Sequence, residues 1–355
     1  MQKECLKPLN NRRQGILLSK KLIYVIIATI CYAIFMILFP WDKISKAAVA
    51  GEGFEDFKRY VLYFNNAVAT GISKAELYNW QSWTEYLTGE VLWDELVIKL
   101  TEITGEATIA LRIVSFFICL VWGAYLFPKV SIPWALVFLL NPTSIGVILS
   151  GIRNGFAWSL FILATILKPQ GVKYILFALT PFIHSSSAIL LLLNFCQTNF
   201  FSLIIPKLRL IPTRIRIILW ATLPGVFAGI ILTVGSSLLQ FLGDRRLSQG
   251  EDYITGGGSF LQMLFWILLI LVQLNCNNDY IKKHSLVINI LAWYIVMNPF
   301  IPWSYRIWGA TMPLIAYAIW ELPRKQRKRI FYIWIAYLII WYLYWSILFN
   351  YWYPQ

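Results

Sequence analysis

The sequence predicts an all-α polytopic membrane protein, and three observations carry that class. Hydrophobic residues make up 59% of the 355 residues and charged residues 14%, where soluble domains carry about 25% charged. Apolar stretches near the roughly 20 residues that cross a bilayer recur from residue 22 to the end. Basic residues gather between alternate stretches, as the positive-inside rule requires. A net charge of +14 on a soluble chain would point to nucleic acid. Here the rule accounts for it, so no nucleic-acid partner is expected and membrane lipid is the expected surround.

Taken in order, the candidate spans are 22–40, 107–127, 131–150, 153–168, 217–242, 259–276, 284–301, 305–322 and 330–349. The whole chain, 1–355, reads as a single integral membrane domain. Residues 1–21 form a cytoplasmic tail carrying Lys3, Lys7, Arg12, Arg13, Lys20 and Lys21. Following the chain from there places 20 of the 31 basic residues and 3 of the 17 acidic residues inside. The two sides then carry +17 and −3, and the orientation is N-in and C-out. The segment 172–206 is too short for two full spans, yet Lys173 and Lys207 both belong inside. Pro181 removes a helical donor just before His184, so a short helical hairpin with its tip near His184 is expected. One long helix with His184 at mid-depth is the alternative. With the hairpin, the count is about 9–11 transmembrane helices. Ala48-Val-Ala50 resembles a signal-peptidase site, but the preceding apolar run is long, and a retained signal-anchor is expected. Five cysteines without pattern predict neither a disulfide framework nor a metal site.

Outside the membrane the main feature is a large extracytoplasmic loop, 41–106. Phe57, Tyr60 and Phe64 recur at helical spacing, which predicts an amphipathic helix at the interface. A second amphipathic helix is expected over 91–100, with Asp94 and Glu95 near its start. Tyr78, Trp80, Trp83 and Tyr86 lie between the two. Such a surface reads either as an aromatic membrane belt or as a carbohydrate face, because sugars stack on rings and hydrogen-bond to carboxylates. No Asp-x-Asp and no His-Glu-x-x-His occurs, so neither a metal nor another cofactor is expected.

Ionisable groups within apolar runs are costly and mark functional sites. Arg153, His184 and Arg306 are three such groups. Arg153 and Arg306 fall at outer helix starts, and Arg245 and Arg246 fall in an outer loop, 244–257, that ends in Gly256-Gly-Gly258. Four external arginines in a chain that keeps its other cations mostly inside point to an anionic ligand, since guanidinium forks bind phosphate bidentately. A lipid-linked diphosphate suits that geometry; arginines that snorkel to headgroups are the plainer alternative. His184 can take a proton near neutrality, or can simply be bonded within the hairpin. His284, beside Lys282 and Lys283, reads as an ordinary surface residue. Gly151, Gly155 and Ser159 form a small-residue ridge for close helix packing.

These residues also carry a family resemblance. Asp56, Tyr60 and Tyr63 come first, then Asp94 and Glu95, then Ile152-Arg153-Asn154-Gly155-Phe156-Ala157. His184-Ser185-Ser186-Ser187-Ala188-Ile189 and Tyr305-Arg306 follow. The order resembles the EpsG-type branch of Wzy-like polysaccharide polymerases, which carry an Ile-Arg-Gln-Gly-Leu-Ala-like and a His-x-Ser-Ala-like motif. It covers roughly residues 50–320. Asn154 stands where glutamine is usual and Ser187 intervenes before Ala188; neither change removes a charge.

The resemblance implies a metal-independent membrane glycosyltransferase, with a GT-C-like architecture, in the bacterial cytoplasmic membrane. Its substrate would be an undecaprenyl-diphosphate-linked oligosaccharide, and its product exopolysaccharide, capsule or O-antigen. A chain-length-regulating co-polymerase and a flippase are the implied partners. His184, Arg153, Asp56 and Glu95 are the expected catalytic residues. Arg153, Arg306, Arg245, Arg246, Tyr60, Asp94 and Tyr305 are expected to bind substrate. A lipid-linked oligosaccharide flippase or transporter, or another transferase acting on surface glycans, are the alternatives.

Overall fold

Within lipid every backbone N–H and C=O must find its partner inside the segment or its neighbours, so apolar runs become helices. The computed structural model describes residues 7–44, 54–72, 76, 89–196, 199, 210–234, 260–301 and 304–345. No strand occurs among the described residues. Helix α1 spans Lys7–Leu38, so the expected cytoplasmic tail is partly helical and runs straight into the first span. Among the described residues of the segment 41–106, a 3-10 turn at Trp41–Lys43 is followed by two α-helices, α2 (Glu55–Thr70) and α3 (Val91–Thr104). Both start from a residue with left-handed backbone, Phe54 (φ 56°) and Glu90 (φ 61°). Both end on a left-handed glycine, Gly71 and Gly105, the usual residue for that stop.

The expected spans come in two kinds. Some are continuous: Lys20–Leu38 within α1, α4 (Ala107–Leu126) and Thr213–Ile231 within α10 (Thr213–Val234) are long and apolar enough to cross a membrane. Others are broken. The run 131–150 forms α5 (Ile132–Leu139) and α6 (Pro142–Leu149), bent by 73°. Pro142 starts α6, and Asn141 caps it by accepting from Ser144 N. The run 305–322 divides at Thr311 into α14 (Tyr305–Ala310) and α15 (Met312–Trp320), with Pro313 in the first turn of α15. Shorter helices make up the rest: α7 (Ile152–Ile166), α8 (Gln170–Ile183), α9 (Ser187–Phe195), α11 (Phe260–Leu274), α12 (Asn278–Lys283) and α13 (Ser285–Met297). Helix α16, Arg324–Trp345, closes the described chain. Among the described residues there are thus three full-length candidate spans, or four with the bent pair as one, against the 9–11 expected. Helices α7, α8, α11 and α13 are apolar but shorter.

Helices in lipid gain little from hydrophobic association, so close packing must hold them. Helices α10 and α13 meet at Gly225, where a Cβ would stand 2.0 Å from the Asn289 carbonyl oxygen. Gly225 N donates to the Asn289 side chain at 2.8 Å, so backbone contact and side-chain bond share one spot. The ridge on α7 packs as its spacing predicts. A Cβ on Gly155 would lie 3.0 Å from Val147 and 3.1 Å from Ile118, and Ser159 accepts from Trp122 Nε1 at 3.0 Å. Large aromatic side chains fill the interior, with Trp158 stacked on Trp293 and Phe138 on Trp334.

This packing sets two places in the molecule. Residues 90, 153, 184 and 306 come together where α3, α7 and α14 begin and α8 ends. Residues 129, 283 and 321 come together at the C-terminal ends of α4, α12 and α15. Fifteen residues of α14–α15 separate Arg306 from Glu321, on the order of 20 Å at 1.5 Å per residue.

Candidate functional site

Glu90 is the centre of the first of these places. It precedes Val91, the first residue of α3, and its carboxylate is buried, with 3% of the side chain exposed. One oxygen pairs with Arg153 Nη1 from the first turn of α7. The other lies 2.5 Å from His184 Nδ1 and accepts from Ser185 N at 3.1 Å. A left-handed conformation is unfavourable for a residue with a side chain. It is kept here because the same turn sends the carboxylate inward to two charged partners.

His184 reaches Glu90 because the helix stops at it. Helix α8 contains Pro181 and ends at Ile183, and His184 itself is extended (φ −151°, ψ 116°). Its carbonyl accepts from Ser187 N at 2.9 Å and Ser187 Oγ at 2.8 Å, which starts α9. The break predicted from Pro181 and the three serines is therefore present at His184.

A second carboxylate–guanidinium pair stands close by. Arg306 Nη2 donates to Asp56 Oδ2 at 3.1 Å, and both side chains are partly exposed. Asn154 Nδ2 donates to the Arg306 carbonyl at 3.4 Å, tying the starts of α7 and α14 together. Tyr60 links the two pairs: the Arg153 guanidinium lies 5.9 Å from its ring centroid, and Asp56, Glu90 and Arg306 all act on its hydroxyl. Burial raises the pKa of that hydroxyl, Arg153 opposes the rise, and Tyr60 stays a neutral donor. Tyr305, the residue before Arg306, acts on its guanidinium and favours its charged form. The Arg153 Nε–H is buried without a hydrogen-bond acceptor among the described residues.

The structure thus brings together Arg153, His184, Tyr60, Asp56, Arg306 and Tyr305 from four separate stretches of sequence. Asp94 is buried and close enough to act on Arg153. Glu95, one residue on, is exposed on the other face of α3. Arg245 and Arg246 lie outside the described residues, as do Tyr78, Trp80, Trp83, Tyr86 and Ala48–Ala50. Sequence reasoning missed Glu90, and it names Asn154 and Ser185 only as motif positions without a role in the site. The only sequence signal for Glu90 is its place directly after Gly89, where a turn opens α3. His284 departs from its expected surface role: it is 4% exposed, and its Nε2 lies 2.7 Å from Glu321. A carboxylate on a neighbouring helix end draws it inward.

Two arginine–carboxylate pairs, one histidine–carboxylate contact and one buried guanidinium donor without an acceptor among the described residues thus converge. The family model described as the EpsG family matches residues 47–354. The chain belongs to the EpsG family. Membership of this family carries Wzy-like polysaccharide polymerisation in general, with lipid-linked oligosaccharide as the general substrate. With the apolar helices, it makes the chain a multi-pass membrane protein of polysaccharide biosynthesis. No curated protein and no solved structure matches the chain.

Proposed function

We propose that this EpsG-family chain transfers a growing glycan from an undecaprenyl-diphosphate carrier to a sugar hydroxyl of an incoming lipid-linked repeat, outside the cytoplasmic membrane. The observation that carries the reading is Glu90, which holds Arg153 and His184 on its two oxygens. The reaction needs a base for the hydroxyl and positive charge for the departing diphosphate, and one buried carboxylate orients both. An ionised carboxylate only accepts, so His184 donates from Nδ1 and carries its lone pair on Nε2. The acceptor oxygen then bonds to the anomeric carbon while the bond from that carbon to the phosphate oxygen breaks. The electron pair leaves with the diphosphate, and the hydroxyl proton passes to His184 Nε2.

Arg153 and Arg306 stabilise the negative charge that develops on the leaving group. The Arg153 Nε–H supplies a buried donor for a phosphate oxygen. Asp56 is the partner that a phosphate displaces from Arg306, because this pair is the more exposed of the two. Asp56, released, is a second candidate for the base, with the buried Asp94 behind it. Tyr60 and Tyr305 offer hydroxyl and ring surface to sugar, and Arg245 and Arg246 extra charge to the diphosphate. The co-polymerase and flippase remain the expected partners.

A strain lacking the chain is expected to accumulate single-repeat lipid diphosphate on the outer face, and the restored gene should clear it. Accumulation on the inner face would turn the assignment to a flippase. Orientation has its own check. In a cysteine-free background, a cysteine at Lys99 should react with an impermeant reagent in intact spheroplasts, and one at Lys328 only after permeabilisation. The reverse pattern would invert the N-in and C-out arrangement and move the site to the cytoplasm.

A further inference from the structure

The second place in the molecule, about 20 Å of helix rise away, is an open cavity of about 550 Å³. Lys129, Lys283, Arg327, Tyr317, Trp320 and Glu321 line it. They come from the turn after α4, the end of α12, the end of α15 and the start of α16. Nothing in the glycan chemistry uses them. Glu321 is already committed. Its Oε1 accepts from Lys283 at 2.6 Å and from the Tyr317 hydroxyl at 2.6 Å, and its Oε2 faces His284.

Lys129 has no such partner. Its ammonium lies 3.2 Å from the Tyr125 ring centroid and 5.0 Å from that of Tyr317, and no acceptor oxygen bonds it among the described residues. Lys129 is exposed, and partial burial against these rings lowers its pKa to about 8, a shift that a bound anion would oppose. Arg327 stacks on Trp320 at 4.6 Å and donates Nη1 to the Trp320 carbonyl at 2.8 Å, which leaves other donors of its fork. Asp279 is the one further acid of the cavity wall.

An independent observation points the same way. Helix α16 opens with Arg324, Lys325, Arg327, Lys328 and Arg329, and its first turn holds no acid. A helix N-terminus is already the positive end of the dipole, so cations there repel it and one another. Negative charge nearby would stabilise the arrangement. Aromatic rings with lysine and arginine at the ends of apolar helices mark the headgroup level of a bilayer. Basic pockets between helices on the cytoplasmic side are seats for lipid phosphates.

We propose that this cavity binds the phosphate of an anionic lipid in the leaflet opposite the glycan site, with Lys129 and Arg327 as its cationic contacts and Tyr317 and Trp320 as its aromatic walls. The lipid would clasp the ends of α4, α12 and α15 to α16 and so stiffen the bundle.

The test uses the purified full chain in neutral detergent, with thermal unfolding read by tryptophan fluorescence. Phosphatidylglycerol is expected to raise the midpoint by a few degrees, about 2–8 °C, and phosphatidylcholine not at all. Lys129→Gln and Arg327→Gln should each remove most of that rise. Lys325→Gln and Lys328→Gln, which alter the same cluster outside the cavity, should keep it. Four outcomes would overturn the proposal. One is an equal loss in the two outer variants, which would mean diffuse surface charge. Another is an equal rise with inorganic phosphate, which would mean a soluble ligand. A rise undiminished in both cavity variants, or no rise in the wild type, would be the others. If either cavity variant fails to fold, lipid retained by the wild-type chain in native mass spectrometry decides, with phosphatidylglycerol expected over phosphatidylcholine.

Discussion

Glu90→Gln is expected to lower polymer output by about 10²–10⁴-fold, the range for losing a positioned base or its orienting carboxylate. The substitution keeps shape and removes charge. A glutamine amide can accept from only one of Arg153 and His184 through its oxygen and turns a donor on the other. His184 then loses the acceptor that fixes its Nδ1–H, and Arg153 keeps its charge in a buried place without a counter-ion. Glu90→Ala should also destabilise the fold by roughly 3–5 kcal/mol, the cost of stranding one partner of a buried pair. Glu90→Gln is therefore the cleaner variant, read as glycan chain length at equal protein level. Wild-type polymer from it would remove Glu90, and with it the orientation of His184, from the mechanism. Asp56 would then be the carboxylate to test.

Arg153→Lys is expected to lose about 10²–10³-fold in polymerisation, the worth of a donor placed where charge develops. An ammonium on a flexible stem can replace the contact to Glu90. It cannot also keep the planar fork over Tyr60 or the buried Nε–H. Because Arg153 and Glu90 form one unit, Arg153→Met combined with Glu90→Gln should lose little more than the worse single variant. Losses that multiply would show two separate tasks. Normal chain lengths from Arg153→Lys would leave Arg153 as an anchor for α3 only.

The legible part of this site was the part that broke a pattern. Arg153, His184 and Arg306 interrupt apolar runs, and the price of burying charge in lipid makes each conspicuous. Glu90 breaks no pattern, because acids and aromatic residues are ordinary in the segment that holds it. Only a left-handed backbone distinguishes it, and that is a property of coordinates. Adjacent carboxylates on a helix point about 100° apart, so Asp94 and Glu95 could not both face inward, and spacing alone did not say which does. The first and second amphipathic helices were legible from Phe57, Tyr60 and Phe64 and from the run after Val91. Span number was less so: Asn141-Pro142 and Thr311 to Pro313 divide runs that are unbroken in hydropathy. His284 was hidden by its basic neighbours, since its partner Glu321 is 37 residues away.

The Asp56–Arg306 pair also constrains how the chain is made. Its two members are 250 residues apart, and a ribosome adding 5–20 residues per second needs about 12–50 s to go from one to the other. Throughout that interval Asp56 has been synthesised and Arg306 has not, whereas Glu90 meets His184 after 94 residues. The inner pair can thus close early, and the late arginine arrives at an acidic seat that is already built. A nascent chain halted between the two would expose that seat unneutralised, a ready mark of incompleteness for membrane proteolysis.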